Sequence, residues 1–431
     1  MKRISSYFVA AIHRSIFRLV LAEGISLVGS RCTAFALGIW LFQQTGKTTE
    51  ILLIPFFQEI AVLLINPFLG MIVDTYSRKA LMILADTAQA LGSVFLAVSI
   101  SLGAFSVVSL YAVVIFQGAF ASLQSLAADA TVAPLTREEN RHRVNAVKQM
   151  LFPLAGIVAP PVAGALFFRL GLVSVIAFDL ATYLVSMAVL AFTRIPRVER
   201  TEPGEGERMR ASMEGFRYLG RHRRVLLFAA FFGILNFLWN GPLEMITPYL
   251  IAAGVGPSIL SLSLSFMSVG VLLGAGLLAV KHVSNRGIAL FALVVAWNGV
   301  WTFTFGLAGG PVPMVAALFF LMMPLPVAGA LFHTELQNRV PQEMQGRVFS
   351  VVYQISGGTA PISFLLIGPL TDRLLTPMMR AGSSEFLNRM FGDGPQAGMG
   401  LLLSASGLLV FMVSLLFAIL GRRLRDDGNS I

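Results

Sequence analysis

The chain has 431 residues, of which 56% are hydrophobic and only 13% charged. Its mean hydropathy is +0.77, whereas soluble domains carry about a quarter charged residues, so a water-soluble fold is excluded. The formal charge of +10 sits in short loops between apolar runs and not along one polar face, which argues for membrane topology and against a nucleic-acid partner.

Crossing a bilayer takes about 20 apolar residues. Runs of that length fall at 17–41, 51–73, 80–101, 107–130, 145–168 and 171–193, and again at 225–251, 258–280, 287–308, 312–337, 348–371 and 398–421. An all-α integral membrane protein with twelve spans is expected. Lys2, Arg3, Arg14 and Arg18 precede the first run without a small-residue cleavage site, so the N-terminus reads as a retained cytoplasmic start. With that start inside, only Lys47, Arg169, Arg373, Arg380 and Arg389 face outward and Arg31 lies within a span. The rest of the 32 basic residues, among them Arg137, Arg141, Arg143, Lys148, Lys281, Arg286, Arg339 and Arg347, face inward. That asymmetry predicts cytoplasmic termini and an outward 373–397 segment.

The stretch 194–224 carries nine arginines among Glu, Gly and Pro and reads as a cytoplasmic linker between bundles at 1–193 and 225–431. Its later part, Met213 to Leu219, suits either a short amphipathic surface helix or an unstructured tether. Glu139-Asn-Arg-His-Arg143-Val144 before the fifth run is echoed by Glu343-Met-Gln-Gly-Arg347-Val348 before the eleventh, as expected of two parallel structural repeats.

Gly70-Met-Ile-Val-Asp74-Thr-Tyr-Ser-Arg78-Lys79 follows the second span, and it resembles the signature loop Gly-x-Leu-Ala-Asp-Arg-x-Gly-Arg-Arg/Lys of the major facilitator superfamily. Thr75 and Ser77 depart from that pattern. A positive-inside turn alone would also place Arg78 and Lys79 here. The resemblance implies a latch: Asp74 against the positive end of the eleventh span near Arg347, and Arg78 against the carboxylate of Asp129. In the fifth span, Gly156-Ile-Val-Ala-Pro160-Pro161-Val-Ala-Gly164 is similar to the Gly-x-x-x-Gly-Pro-x-x-Gly-Gly pattern of antiporters in this superfamily, although an ordinary kinked helix would also contain it. Phe17 to Gly46, Phe178-Asp179 with Thr182-Tyr183, Gly346 to Ser350 and Gly368-Pro-Leu-Thr-Asp372-Arg373 resemble the macrolide-efflux-like drug:proton antiporters more closely. The implied fold is two pseudo-symmetric six-helix bundles.

Ionisable residues inside spans are costly and functional by default: Glu23, Arg31, Glu59, Asp86, Asp179 and Glu244. The superfamily resemblance places spans 1, 4, 7 and 10 around the cavity, which favours Glu23, Arg31 and Glu244 and leaves Asp86 and Asp179 as structural residues. Arg31 and Glu59 lie at similar depths on adjacent antiparallel spans and can pair. Asn236, Asn240 and Glu244 recur every four residues beside Trp239, giving a polar cavity face or, alternatively, an interhelical seam. Gln117 and Gln124 form a neutral pair on span 4. Glu244 has no basic residue within four positions to hold it ionised and is the expected carrier of a coupling proton, or else a structural group; Glu23 is the reserve.

Gly46-Lys47-Thr48 lacks the glycine a phosphate-binding loop needs at position 41. The five histidines are scattered, without metal-ligand spacing, and no Gly-x-Ser-x-Gly elbow occurs. No cofactor, metal or enzyme activity is expected. The expected function is export of a small amphiphilic molecule in exchange for protons across the bilayer, by a monomer. A lysophospholipid flippase of the same fold, or a membrane sensor or scaffold without turnover, fits the same residues.

Overall fold

The computed structural model describes residues 2–136, 138–193, 195, 214–280, 287–382 and 384–426. The positive charges at Arg137, Lys281, Arg286 and 196–213, and the Met213 start of the expected surface helix, lie outside the described residues, as do the side chains of Lys2, Arg3, Arg14 and Arg143. Among the described residues, twelve helices are long and apolar enough to cross a membrane.

The chain divides into two compact units, Met1–Gln44 with Phe57–Glu202 and Thr45–Phe56 with Pro203–Ile431. The first, N-terminal unit is built from α1 (Lys2–Thr45), α2 (Thr48–Thr75, whose residues up to Phe56 belong to the second unit), α3 (Arg78–Ser101), α4 (Val107–Leu135), α5 (Glu138–Leu170) and α6 (Leu172–Ala191). Lipid permits apolar side chains on every face, so burial and not hydrophobicity distinguishes the inner side of these helices. Leu19, Leu69, Met82, Leu123, Ala127, Val132 and Leu190 form a core cluster of this unit, toward the ends where α3 begins and α2, α4 and α6 finish. Gly171, at φ 82°, makes the one-residue connection from α5 to α6, a left-handed conformation that favours glycine.

The C-terminal unit holds α7 (Arg223–Glu244), α8 (Ile246–Ala252), α9 (Pro257–Val280), α10 (Gly287–Leu307), α11 (Pro311–Met322), α12 (Leu325–Arg339), α13 (Gln345–Gly357), α14 (Thr359–Leu370), α15 (Thr376–Arg380), α16 (Glu385–Phe391) and α17 (Ala397–Asp426). A short helix over 214–221 precedes α7. Phenylalanines dominate the core: Phe232 stacks on Phe332 at 3.7 Å and Phe231 on Phe417 at 3.8 Å between ring centroids. A β-carbon at Gly407 would lie 2.3 Å from the Phe303 nitrogen and 2.6 Å from the Gly299 carbonyl, so α10 and α17 touch backbone to backbone.

Three runs expected to be single helices are interrupted. Span 7 breaks at Met245 between α7 and α8, and span 11 breaks at Gly358 and then passes through a π-helical turn at Thr371–Leu375. Span 10 breaks at Met323 and Pro324 between α11 and α12. Pro324 has no N–H for the Phe320 carbonyl; the Trp297 indole supplies one at 2.9 Å, and the Asn298 amide donates to the next carbonyl, Leu321, at 2.8 Å.

Candidate functional site

In the N-terminal unit, α1, α4 and α5 bring three charged side chains together. Lys148 Nζ lies 3.2 Å from Glu23 Oε1 and 2.6 Å from Asp129 Oδ1. Glu23 and Lys148 are each only 13% exposed, while Asp129 is 65% exposed. The second oxygen of Glu23 is buried without a hydrogen-bond partner among the described residues. One ammonium thus serves two carboxylates, and a proton arriving at Glu23 would free Lys148 for Asp129.

This arrangement corrects the expected pairing of Arg78 with Asp129. Arg78 Nη1 donates instead to the Ala130 carbonyl at 2.6 Å. Pro134, four residues on, has no N–H to offer that carbonyl, so the guanidinium fills the gap and the Asp129 carboxylate is left to Lys148. Lys79 donates to the carbonyls of Ala191 and Thr193 at 2.6 and 2.9 Å, and Arg18 to that of Phe192 at 3.2 Å. These cations therefore cap the C-terminal end of α6, where the helix dipole and unpaired carbonyls attract them. Gly70 and Asp74 share one face of the last turns of α2, with Asp74 exposed.

The Arg31–Glu59 ion pair is not formed among the described residues. The guanidinium carbon of Arg31 sits 3.5 Å above the Phe152 ring, a cation–π contact with α5. Gln117 faces α3, where it donates to the Gln89 carbonyl at 2.9 Å and to Ser93 at 3.1 Å; Gln124, seven positions on, is half-buried. Asp86 and Asp179 are 1% and 2% exposed and accept from Ser186 at 3.3 Å and Thr33 at 3.0 Å. Gly156, Pro160, Pro161 and Gly164 all lie within the uninterrupted helix α5.

In the C-terminal unit, the two asparagines of the stripe bond to their own helix. Asn236 donates to the Phe232 carbonyl at 2.8 Å, and Asn240 donates to the Asn236 carbonyl and side-chain oxygen at 2.8 and 3.2 Å. Asn236 and Trp239 line a cavity inside this unit together with Asn298. Glu244 ends α7 and its side chain is exposed. Arg347, in the first turn of α13, pairs with Glu214 of the 214–221 helix.

Two further groups have roles that the sequence did not assign. Asp372 accepts from the backbone N–H groups of Thr48 and Thr49 at 3.1 and 2.7 Å and from the Thr49 hydroxyl at 2.6 Å. It is thus an N-cap for α2 supplied from the π-helical turn after α14. Gly368, one turn earlier, makes room: a β-carbon there would lie 2.6 Å from Thr49 Cα. The signal was present in the spacing, since Gly368 and Asp372 repeat the Gly-x-x-x-Asp of Gly70 and Asp74. Asn298 is the other group, and only the break in span 10 reveals what it serves.

The architecture matches that of solved transporters. A crystal structure of a bacterial homologue of the human lysosomal transporter Spinster, inward-facing and unoccupied, superposes with a TM-score of 0.73 at 14% identity, covering 96% of this chain and 97% of that one. Macrolide efflux protein A of Streptococcus pyogenes is 24% identical over 359 residues, 82% of this chain and 88% of that protein. The enterobactin exporter EntS of Shigella flexneri is 23% identical over 384 residues, 87% of this chain and 89% of that protein. Residues 19–365 match the profile of the Major Facilitator Superfamily. With twelve apolar spans and that match over most of its length, the chain belongs to the Major Facilitator Superfamily and is a membrane transporter, not an enzyme.

Proposed function

We propose that the protein exports small amphiphilic molecules from a bacterial cell across its plasma membrane by proton antiport with alternating access. The asymmetry of basic residues supports cytoplasmic termini. Similarity to efflux proteins over more than four fifths of the chain supports the direction of transport. The observation that carries the coupling is the Glu23–Lys148–Asp129 cluster, in which two carboxylates compete for one ammonium.

In this scheme Glu23 carries the proton. When Glu23 is ionised, Lys148 ties α1 to α5 and α4. When Glu23 is protonated, the attraction between α1 and α5 is lost, Lys148 stays with Asp129, and α1 is released to move. Charge inside a membrane protein is retained where it moves ions or protons, and a shared cation converts one protonation into a change in helix contacts. Glu244, exposed at the end of α7, becomes the reserve candidate. The experiment compares gradient-driven accumulation with substrate exchange in inverted vesicles. Glu23→Gln should abolish accumulation and spare exchange, whereas Glu244→Gln should leave both near wild type. Full accumulation by Glu23→Gln would remove Glu23 from the coupling step.

A further inference from the structure

The helix over 214–221 leads into α7, and its two faces are unlike. Gly215 and Leu219, one turn apart, are buried. A β-carbon at Gly215 would lie 2.5 Å from the Arg347 carbonyl oxygen, so the helix meets the start of α13 at backbone distance, and Leu219 joins the core with Val340 and Val348. The Tyr218 hydroxyl donates to the Arg339 carbonyl at 3.3 Å, at the end of α12. These contacts set the helix beside the end of span 10 at Arg339, the beginning of span 11 at Gln342 and the beginning of span 7 at Val225. Its level is therefore that of one bilayer edge, where acyl chains give way to headgroups.

The opposite face is open. Phe216 is 51% exposed; Arg217, Gly220 and Arg221 share its stripe and are exposed, as are His222 and Arg223 just beyond. His222 stacks on Tyr218 at 3.8 Å between ring centroids, which leaves the Phe216 ring and three guanidiniums as the outward groups. Glu214 is committed to Arg347, and among the described residues no carboxylate pairs with Arg217, Arg221 or Arg223. Water suits the ring poorly and hydrocarbon suits the guanidiniums poorly. The bilayer edge accommodates both, with the ring in the acyl boundary and the guanidiniums on phosphate oxygens, which they bind bidentately.

We propose that this face is a docking surface for anionic phospholipid, with Arg217, Arg221 and Arg223 holding headgroup phosphates and Phe216 entering the acyl boundary. An amphipathic helix that binds membrane by itself uses its apolar face. Here that face, Gly215 and Leu219, is spent on the protein, so charge complementarity and one aromatic ring carry the contact. An anionic leaflet thereby ties the chain just ahead of α7 to the bilayer.

A bimane fluorophore on Gly220→Cys, where a β-carbon meets nothing within 4 Å, reports on this face in the full-length protein; native Cys32 is buried. In phosphatidylcholine nanodiscs, phosphatidylglycerol and phosphatidylcholine that carry a nitroxide near the headgroup are compared as quenchers. Half-quenching should need about fivefold less of the labelled phosphatidylglycerol, the effect of one arginine near an anionic surface. The triple variant Arg217→Gln, Arg221→Gln, Arg223→Gln in the same labelled protein should erase the difference. Raised salt should narrow it while the arginines are intact, which keeps the test decisive if the triple variant does not fold. Equal quenching by the two lipids, or a preference that persists in the triple variant or is indifferent to salt, overturns the proposal. Absence of quenching by either lipid also overturns it and makes an acidic protein segment the occupant of this face.

Discussion

Lys148 holds Glu23 and Asp129 with a single ammonium, and the two bonds differ in surroundings. Asp129 is well exposed and water screens its contact, which is worth little; Glu23 is mostly buried, and removing the partner of a buried ion costs about 3–5 kcal/mol. Lys148→Met should therefore lower the melting temperature of the purified protein, and Glu23→Gln combined with it should recover at least half the loss, because the stranded charge is gone. Identical melting of the single and double variants would show that Lys148 acts through packing. The cluster was only partly legible beforehand. Glu23 stood out as a carboxylate inside a span, but a lysine near the inner end of the fifth span looks like any positive-inside residue. Which carboxylate it meets depends on how three helices are rotated. Arg31 makes the same point from the other side: its place inside a span was readable, and its contact with Phe152 was not.

At the scale of helices, ends and breaks proved harder to read than existence. The apolar runs marked all twelve spans, yet prolines that look like tolerated kinks in α5 break span 10 at Pro324. At the break, Trp297 and Asn298 of another helix supply donors to the carbonyls of Phe320 and Leu321. The cap on α2 is likewise supplied by a distant segment. Losing an N-cap costs about 0.5–2 kcal/mol, so Asp372→Ala should loosen the first turn of α2 while Asp372→Asn, which keeps an acceptor, should not. Labelling of a cysteine placed at Lys47 by an impermeant thiol reagent reads this out, and it should rise in the alanine variant. Equal labelling of wild type and Asp372→Ala would mean that the cap does not hold the turn. Native Cys32 is buried and should contribute little background.

Small residues set how closely helices approach. Gly407→Leu places side-chain atoms where the backbone of Phe303 and Gly299 already lies, whereas a β-carbon at Gly309 would meet nothing within 4 Å. Thermal aggregation in detergent should separate them, with a large loss of stability for Gly407→Leu and wild-type behaviour for Gly309→Ala. Comparable losses in both would argue that α10 and α17 do not depend on backbone contact.

For the whole molecule, composition and hydropathy were enough to reach the membrane and twelve spans, because lipid demands long apolar helices and leaves few alternatives; the superfamily was suggested by the resemblance of the Gly70 to Lys79 loop to its signature. Direction of transport and coupling are of another kind. They depend on a few protons and charges that move between states, and a list of intramembrane carboxylates does not rank them. The proposed coupling makes a direct claim about proton flow. In proteoliposomes with a pH dye trapped inside, adding an amphiphilic substrate outside with no imposed gradient should shift the lumenal pH in the alkaline direction as substrate enters and protons leave. The shift should be lost in Glu23→Gln. Substrate uptake with no accompanying lumenal pH change in the wild-type protein would contradict proton antiport.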